Sequence, residues 1–165
     1  MTFEDLDLTY QEITESGVPE LTDVMTRAFD DDARKHLGKE RGGPDGYDNG
    51  EFFHNWLFGY QESVGCKVVA NDKIIGAAIV WILPDNHNVL GTIFVDPFFQ
   101  DLGIGQQLWR FIERTYPGTK SWRLATPTWA TKNHYFYKKC GFSKVDSDPI
   151  IPAEEGSTIY RKEMV

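Results

Sequence analysis

The chain has 165 residues, 41% of them hydrophobic and 25% charged, with a formal net charge of −8. That length fits one domain with a full core, and the acidic balance argues against nucleic acid as a partner. No apolar run approaches the ~18–20 residues of a membrane span. Met1–Gln11 lacks the basic-then-apolar layout of a signal peptide, so the expectation is a soluble, cytoplasmic protein with no membrane partner. Cys66 and Cys140 show no CxxC or Cys/His ligand spacing and read as reduced, buried thiols, with neither a disulfide nor a metal site.

In chain order, Leu6–Ile13 alternates as a first strand. Ser16-Gly17 then precedes a helix with Pro19 in its first turn and Val18, Leu21, Val24, Met25, Ala28 and Phe29 as its apolar face. The triplet Asp30-Asp31-Asp32 and the polar run to Pro44 read as a frayed helix end or mobile loop. Asp48–Tyr60 predicts a second helix, with Phe52, Phe53, Trp56, Leu57 and Tyr60 on a broad aromatic face. Cys66–Ala70 and Ile74–Leu83 form a hairpin about Asn71-Asp72-Lys73, and Pro84–Asn88 is a second turn. Val89–Val95 is the next strand, closed by Asp96-Pro97.

The turn Gln100-Asp101-Leu102-Gly103-Ile104-Gly105 runs straight into a helix whose apolar residues are Ile104, Leu108, Phe111 and Ile112. Helix starts leave backbone N–H groups unpaired and carry positive partial charge, so this turn is a candidate phosphate cradle. Pro117-Gly118 stops the helix. Trp122–Thr126 is a short strand, Thr131 caps a helix over Lys132–Cys140, and Gly141 ends it. Phe142–Val145 and Ser157–Met164 are two last strands around a loop containing Asp146–Glu155. There is no repeat or linker, so residues 1–165 read as a single domain. Consecutive strands over Cys66–Val95 exclude a doubly wound sheet. The expected fold is α+β, a mixed, mostly antiparallel sheet of about seven strands with helices on both faces.

Val95-Asp96-Pro97, Gln100-x-x-Gly103-x-Gly105 and Tyr137-Lys-Lys-Cys-Gly141-Phe142 form an ordered set, preceded by the hairpin Asn71-Asp72-Lys73-Ile74-Ile75-Gly76. This set resembles the GNAT superfamily of N-acetyltransferases over nearly the whole chain, most firmly over Val68–Phe142. The resemblance implies direct transfer of the acetyl group of acetyl-CoA to a primary amine of a small molecule or peptide, without a metal. It implies that Gln100, Asp101, Leu102, Gly103, Ile104, Gly105 and Gln106 hold the cofactor pyrophosphate. It also implies that the preceding strand splays from its neighbour and offers its backbone at Phe94 and Val95 to the pantetheine arm. An N–H near Val95 would polarise the thioester carbonyl. Asn133 and Tyr137 share a helix face. Asn133 would hold the arm, and Tyr137, a phenol of ordinary pKa ~10, would protonate the departing thiolate.

Two departures stand out. Asp101 and Leu102 occupy places where the family often has Lys or Arg, leaving Lys132, Lys138 or Arg110 to compensate. The strand Val89–Val95 has no carboxylate to deprotonate the amine, so His87 at its entry is the candidate base, with His54 and Glu51 behind it. The alternative is a non-catalytic acyl-CoA-binding sensor of the same fold. A dinucleotide-binding oxidoreductase is disfavoured, because the turn lacks a third glycine and no acidic residue ends a following strand. Acceptor choice is expected from Ala28–Tyr60 and Asp146–Glu155. Tyr47, Phe52, Phe53 and Trp56 either line a pocket for a flat or cationic amine or belong to the core, and a homodimer is left open.

Overall fold

The computed structural model describes residues 6–165. The elements are β1 (Leu8–Glu12), α1 (Val18–Leu37), α2 (Glu51–Phe53, continued by a π-helical turn, His54–Phe58), β2 (Ser63–Ala70), β3 (Lys73–Trp81) and β4 (His87–Val95). They continue with α3 (Ile104–Thr115), β5 (Ser121–Pro127), α4 (Thr131–Lys139), β6 (Ser143–Val145) and β7 (Ser157–Glu163). The seven strands form one sheet in the order β1-β2-β3-β4-β5-β7-β6. Only β4 and β5 run parallel. The expected α+β fold, with its mostly antiparallel sheet, is what forms.

Both faces of the sheet are covered. On β3, Ile74, Ala77 and Ile79 point to a core filled by Leu21, Val24, Met25 and Ala28 of α1 and by Phe52, Phe53 and Leu57. Its Ile75, Ala78 and Val80 point the other way, to Ile104, Leu108, Trp109 and Ile112 of α3 and to Tyr137 of α4. A strand buried on both sides reads as an unbroken apolar run, which is how β3 reads in the sequence. The β2–β3 hairpin closes on Asn71 and Asp72, at φ 51° and 65°. Two left-handed residues are what a tight hairpin turn requires, and Asn and Asp tolerate that region best after glycine.

Three local expectations are corrected. The acidic triplet is not a frayed end, because α1 continues through it to Leu37 and closes on Gly38 at φ 65°. Asp31 pairs with Lys35 one turn on at 2.8 Å, and Arg34, Lys35 and His36 place basic groups at the negative end of the helix. The second helix spans Glu51–Phe58 rather than Asp48–Tyr60, because Gly50 at φ 86° breaks the chain ahead of it. Thr131 does not cap α4; Ala130 takes the cap position, with no side-chain cap bond. No helix among the described residues is long and apolar enough to cross a membrane. None of their His, Cys, Asp and Glu side chains cluster in threes as a metal site would need.

The loop between β6 and β7 is fastened by Asp148. Its side chain is fully enclosed and meets the buried Arg123 at 2.7 Å. It also accepts from Arg161 Nε at 3.0 Å and from the backbone N–H groups of Ile150 and Ile151 at 2.8 and 3.0 Å. Burial alone would raise its carboxyl pKa. The amides of Ile151 and Ile150, with the two guanidinium groups, outweigh that and hold it below the ordinary value. A depressed carboxylate stabilises the fold above its unfolded pKa and loses that contribution as pH falls through the folded one. Asp148→Asn strands the Arg123 charge and should cost about 3–5 kcal/mol at neutral pH by urea denaturation. The gap from wild type should close only below about pH 4.

Candidate active site

The site begins where β4 leaves β5. The two strands pair only over His87–Val89 with Ser121–Arg123, while β4 stays registered with β3 up to Gly76 opposite Val95. An irregularity at Gly91, between the Ile79 and Val80 pairings, adds a residue to β4. Such a bulge bends and twists the strand that carries it, here away from β5. Beyond Val89 the β5-facing edge of β4 is unpaired.

Which backbone groups face the gap follows from alternation. The N–H of Asp96 bonds to the carbonyl of Ile75 at 2.8 Å. The carbonyl of Phe94 points to Gly76, only 2.7 Å from where a Cβ there would sit. Phe94 and Asp96 therefore spend their peptide groups on β3, and those of Ile93 and Val95 face the opening. This corrects the role expected of Phe94. Its backbone belongs to the ladder, and its ring packs toward α1 near Phe29 and Phe53. Val95 lines the cleft.

The gap widens into a cleft of about 370 Å³ between α1, β4, the start of α3 and α4. Asp96 anchors its far end, with its carboxylate on Arg27 of α1 at 2.7 Å and accepting the N–H of Phe98 at 3.1 Å. The turn then needs two left-handed residues, Asp101 at φ 61° and Gly103 at φ 79°. No side chain caps α3, and its first backbone bond runs from Gln107 N–H to the carbonyl of Gly103 at 3.1 Å. The N–H groups ahead of it are free donors, as at any uncapped helix start. Gln100, Asp101, Gly103, Ile104, Gly105 and Gln106 all line the cleft. Leu102 does not, since it packs onto the core.

The two glycines serve different ends. A Cβ on Gly103 would meet nothing within 4 Å, so glycine is there for its φ. A Cβ on Gly105 would lie 2.9 Å from the Phe136 ring, so that glycine lets α3 and α4 touch. The cations lining the cleft are Lys132, which lies 3.7 Å from Asp32, and Lys139, which lies 5.0 Å over the Tyr135 ring. Lys138 and Arg110 face elsewhere. Asp101 lines the cleft and is exposed.

Asn133 and Tyr137 enter the cleft together from α4. Asn133 Nδ2 donates to Thr126 Oγ1 of β5 at 3.2 Å, and its carbonyl oxygen has no partner among the described residues. Tyr137 is 7% exposed, its ring packed against Phe136, Phe142 and Tyr160. Its hydroxyl finds no hydrogen-bond partner among the described residues. Burial, then Cys140 and Asp32, push the phenol well above the ordinary tyrosine value, so it keeps its proton throughout the neutral range. Tyr135 is 64% exposed, whereas Phe136 both lines the cleft and packs against the core.

His87 is not brought to this site. It and Val95 are the two ends of β4, a strand of nine residues, roughly 26 Å apart. It shares a 2.6 Å hydrogen bond with Ser121, the residue facing it across the paired end of the gap. His54 and Glu51 sit exposed on α2, outside the cleft. Tyr47, Phe52 and Phe53 are core. Trp56 stacks on Tyr60 in a separate shallow groove with Trp81.

The residue the sequence reading passed over is Asp32. It lies in the cleft with Ala28 and Phe29 of α1, and its Oδ1 is buried without a hydrogen-bond partner. Lys132 Nζ is 3.7 Å away, near enough to pair and too far to donate. Burial raises the Asp32 pKa, Lys132 and His36 oppose it, and Asp31 reinforces it. Its signal was helical spacing, since Leu21, Met25, Ala28 and Asp32 fall on one stripe of α1.

An open mixed sheet that parts between parallel neighbours, above an uncapped helix start, is the architecture of an acetyltransferase. The chain matches the Acetyltransferase (GNAT) family over residues 22–142 and belongs to it. It is 33% identical over 134 residues to YrkN, an uncharacterized protein of Bacillus subtilis (strain 168), covering 80% of this chain and 71% of that one. In fold it is similar to the PaiA N-acetyltransferase of Thermoplasma acidophilum in complex with coenzyme A, with a TM-score of 0.76, 17% identity and coverage of 96% and 99%. It is also similar to the ribosomal-protein-S18-alanine N-acetyltransferase of Escherichia coli, with a TM-score of 0.71, 16% identity and coverage of 95% and 94%.

Packing at Gly105 is open to test. Gly105→Ala drives a methyl into Phe136 and should cost about 1–3 kcal/mol in urea denaturation. Phe136→Leu in the same chain should recover part of that loss, as contacting residues couple. Gly103→Ala meets no neighbour and should cost only the left-handed penalty of about 1–2 kcal/mol.

Proposed function

We propose that this chain transfers the acetyl group of acetyl-CoA to a primary amine of a small molecule or peptide by direct attack, with Tyr137 as the general acid. The observation that carries the reading is a tyrosine with a buried ring in the cleft wall, its hydroxyl without a partner among the described residues, in the same cleft as an unpaired strand edge. The fold's two named N-acetyltransferase neighbours support an amine acceptor, and coenzyme A in one of them supports the donor.

The residues fit such a donor. The free N–H groups at the start of α3, with Lys139 nearby, suit a pyrophosphate. The peptide groups of Ile93 and Val95 suit an amide-bearing arm, paired as a strand pairs. Asn133 adds an acceptor on the opposite wall. A Val95 N–H at the thioester carbonyl would stabilise the oxyanion as it forms. Tyr137 then gives its proton to the departing sulfur, and its raised pKa ensures that the proton is there to give.

Tyr137→Phe keeps the ring and its packing while removing the proton. Against the best amine of a panel, kcat should fall by about 10²–10⁴-fold with KM for acetyl-CoA little changed. Wild-type turnover by the variant, with chemistry rate-limiting, would make Tyr137 a packing residue. Tight acetyl-CoA binding by the wild type, without thiol release for any amine, would instead favour a sensor of acyl-CoA.

A further inference from the structure

We infer that Asp32 is the base that deprotonates the acceptor, and that the acceptor enters as an alkylammonium ion drawn to this carboxylate. The inference rests on the acetyl-transfer reading and deepens it. Of the acidic triplet on α1, two members are already engaged. Asp30 accepts from the Tyr47 hydroxyl at 2.6 Å and from the Gly42 N–H at 3.1 Å, and Asp31 pairs with Lys35 at 2.8 Å. Only Asp32 lines the cleft, on the wall opposite Asn133 and close enough to Tyr137 to raise its pKa.

Its Oδ1 is a buried acceptor with no donor, and such a group costs stability unless something arrives to satisfy it. The arrival must be a hydrogen-bond donor, and beside a carboxylate a cationic one is favoured. Lys132 on α4, 3.7 Å away, favours the charged form of Asp32 against the effect of burial without filling that position. The other groups facing it are His36, Lys35 and Asp31 on its own helix and Tyr137 across the cleft. Of the β4 residues in the cleft, Ile93, Phe94 and Val95 are apolar, and Asp101 belongs to the phosphate turn. No histidine lines the cleft among the described residues, so Asp32 is the carboxylate beside the acid.

The proton count closes. An ammonium N–H bond breaks, the proton goes to Asp32 Oδ1, and the freed electron pair attacks the thioester carbonyl carbon. The C–S bond breaks, and the thiolate takes the Tyr137 proton. The second proton on the new amide nitrogen returns to the tyrosine oxygen. Asp32 gives its proton to solvent, leaving amide, thiol and one released proton.

The test uses the intact protein, acetyl-CoA, and two probe amines of nearly one shape. Ethylamine is an ammonium ion at neutral pH, whereas 2,2,2-trifluoroethylamine is already the free base. Asp32→Asn should lose about 10²-fold or more of kcat/KM on ethylamine and far less on the fluorinated amine. Acetyl-CoA affinity by calorimetry should stay near wild type. Independently, Lys132→Met removes the cation that favours ionised Asp32, so the acid limb of the wild-type pH–rate profile should move to higher pH. Equal losses on both amines, or an acid limb that Lys132→Met leaves in place, would overturn the assignment of Asp32 alone. Wild-type protein that binds acetyl-CoA yet releases no thiol with these two amines or with any other of the panel would overturn the acetyl-transfer reading, and this inference with it.

Discussion

The organisation of this molecule depends on a failure of pairing. Two parallel strands share a ladder for three residues each and then part, although each remains bonded along its other edge. In most sheets an unpaired central edge would be a defect, since buried peptide groups left alone are costly. Here the edge opens onto a cleft, and the groups that complete the site gather around it. The bulge at Gly91 bends β4, α3 starts without a cap below the gap, and α4 brings Asn133 and Tyr137 to its far wall. Each would be an ordinary feature elsewhere, and together they follow from one missing stretch of hydrogen bonds.

The sequence makes the framework readable for physical reasons. β3 is buried on both faces and so reads as an uninterrupted apolar run. Asn71 and Asp72 announce their turn because few residues accept the left-handed region. Gly103 and Gly105 flag the entry to α3. The resemblance to the acetyltransferase family singles out Tyr137, and its spacing from Asn133 puts both on one helical face.

The misplacements are as informative. His87 stands close to β4 in sequence, but a strand has two ends, and the cleft opens at the other one, beside Val95. Asp32 was missed because three consecutive aspartates look like a solvated loop. Composition cannot say that the middle one pairs with Lys35, the first accepts from Tyr47, and the last continues the apolar stripe of α1 into the cleft. Phe94 was assigned a backbone role because strand parity depends on register, which only the ladder with β3 fixes.

The contact between Gly105 and Phe136 has a mechanical consequence. The free amides of α3 and the hydroxyl of Tyr137 sit on different helices, but Phe136 is the residue before Tyr137, and its ring rests where a side chain on Gly105 would be. At this point the two helices approach closely enough to leave no room for a side chain on Gly105. Phe136 thus stands between the first turn of α3 and the ring of Tyr137, in contact with both. The end of the cleft that suits phosphate and the end that holds the phenol are set to a common gauge, and the width of that gauge is fixed by a single absent methyl group.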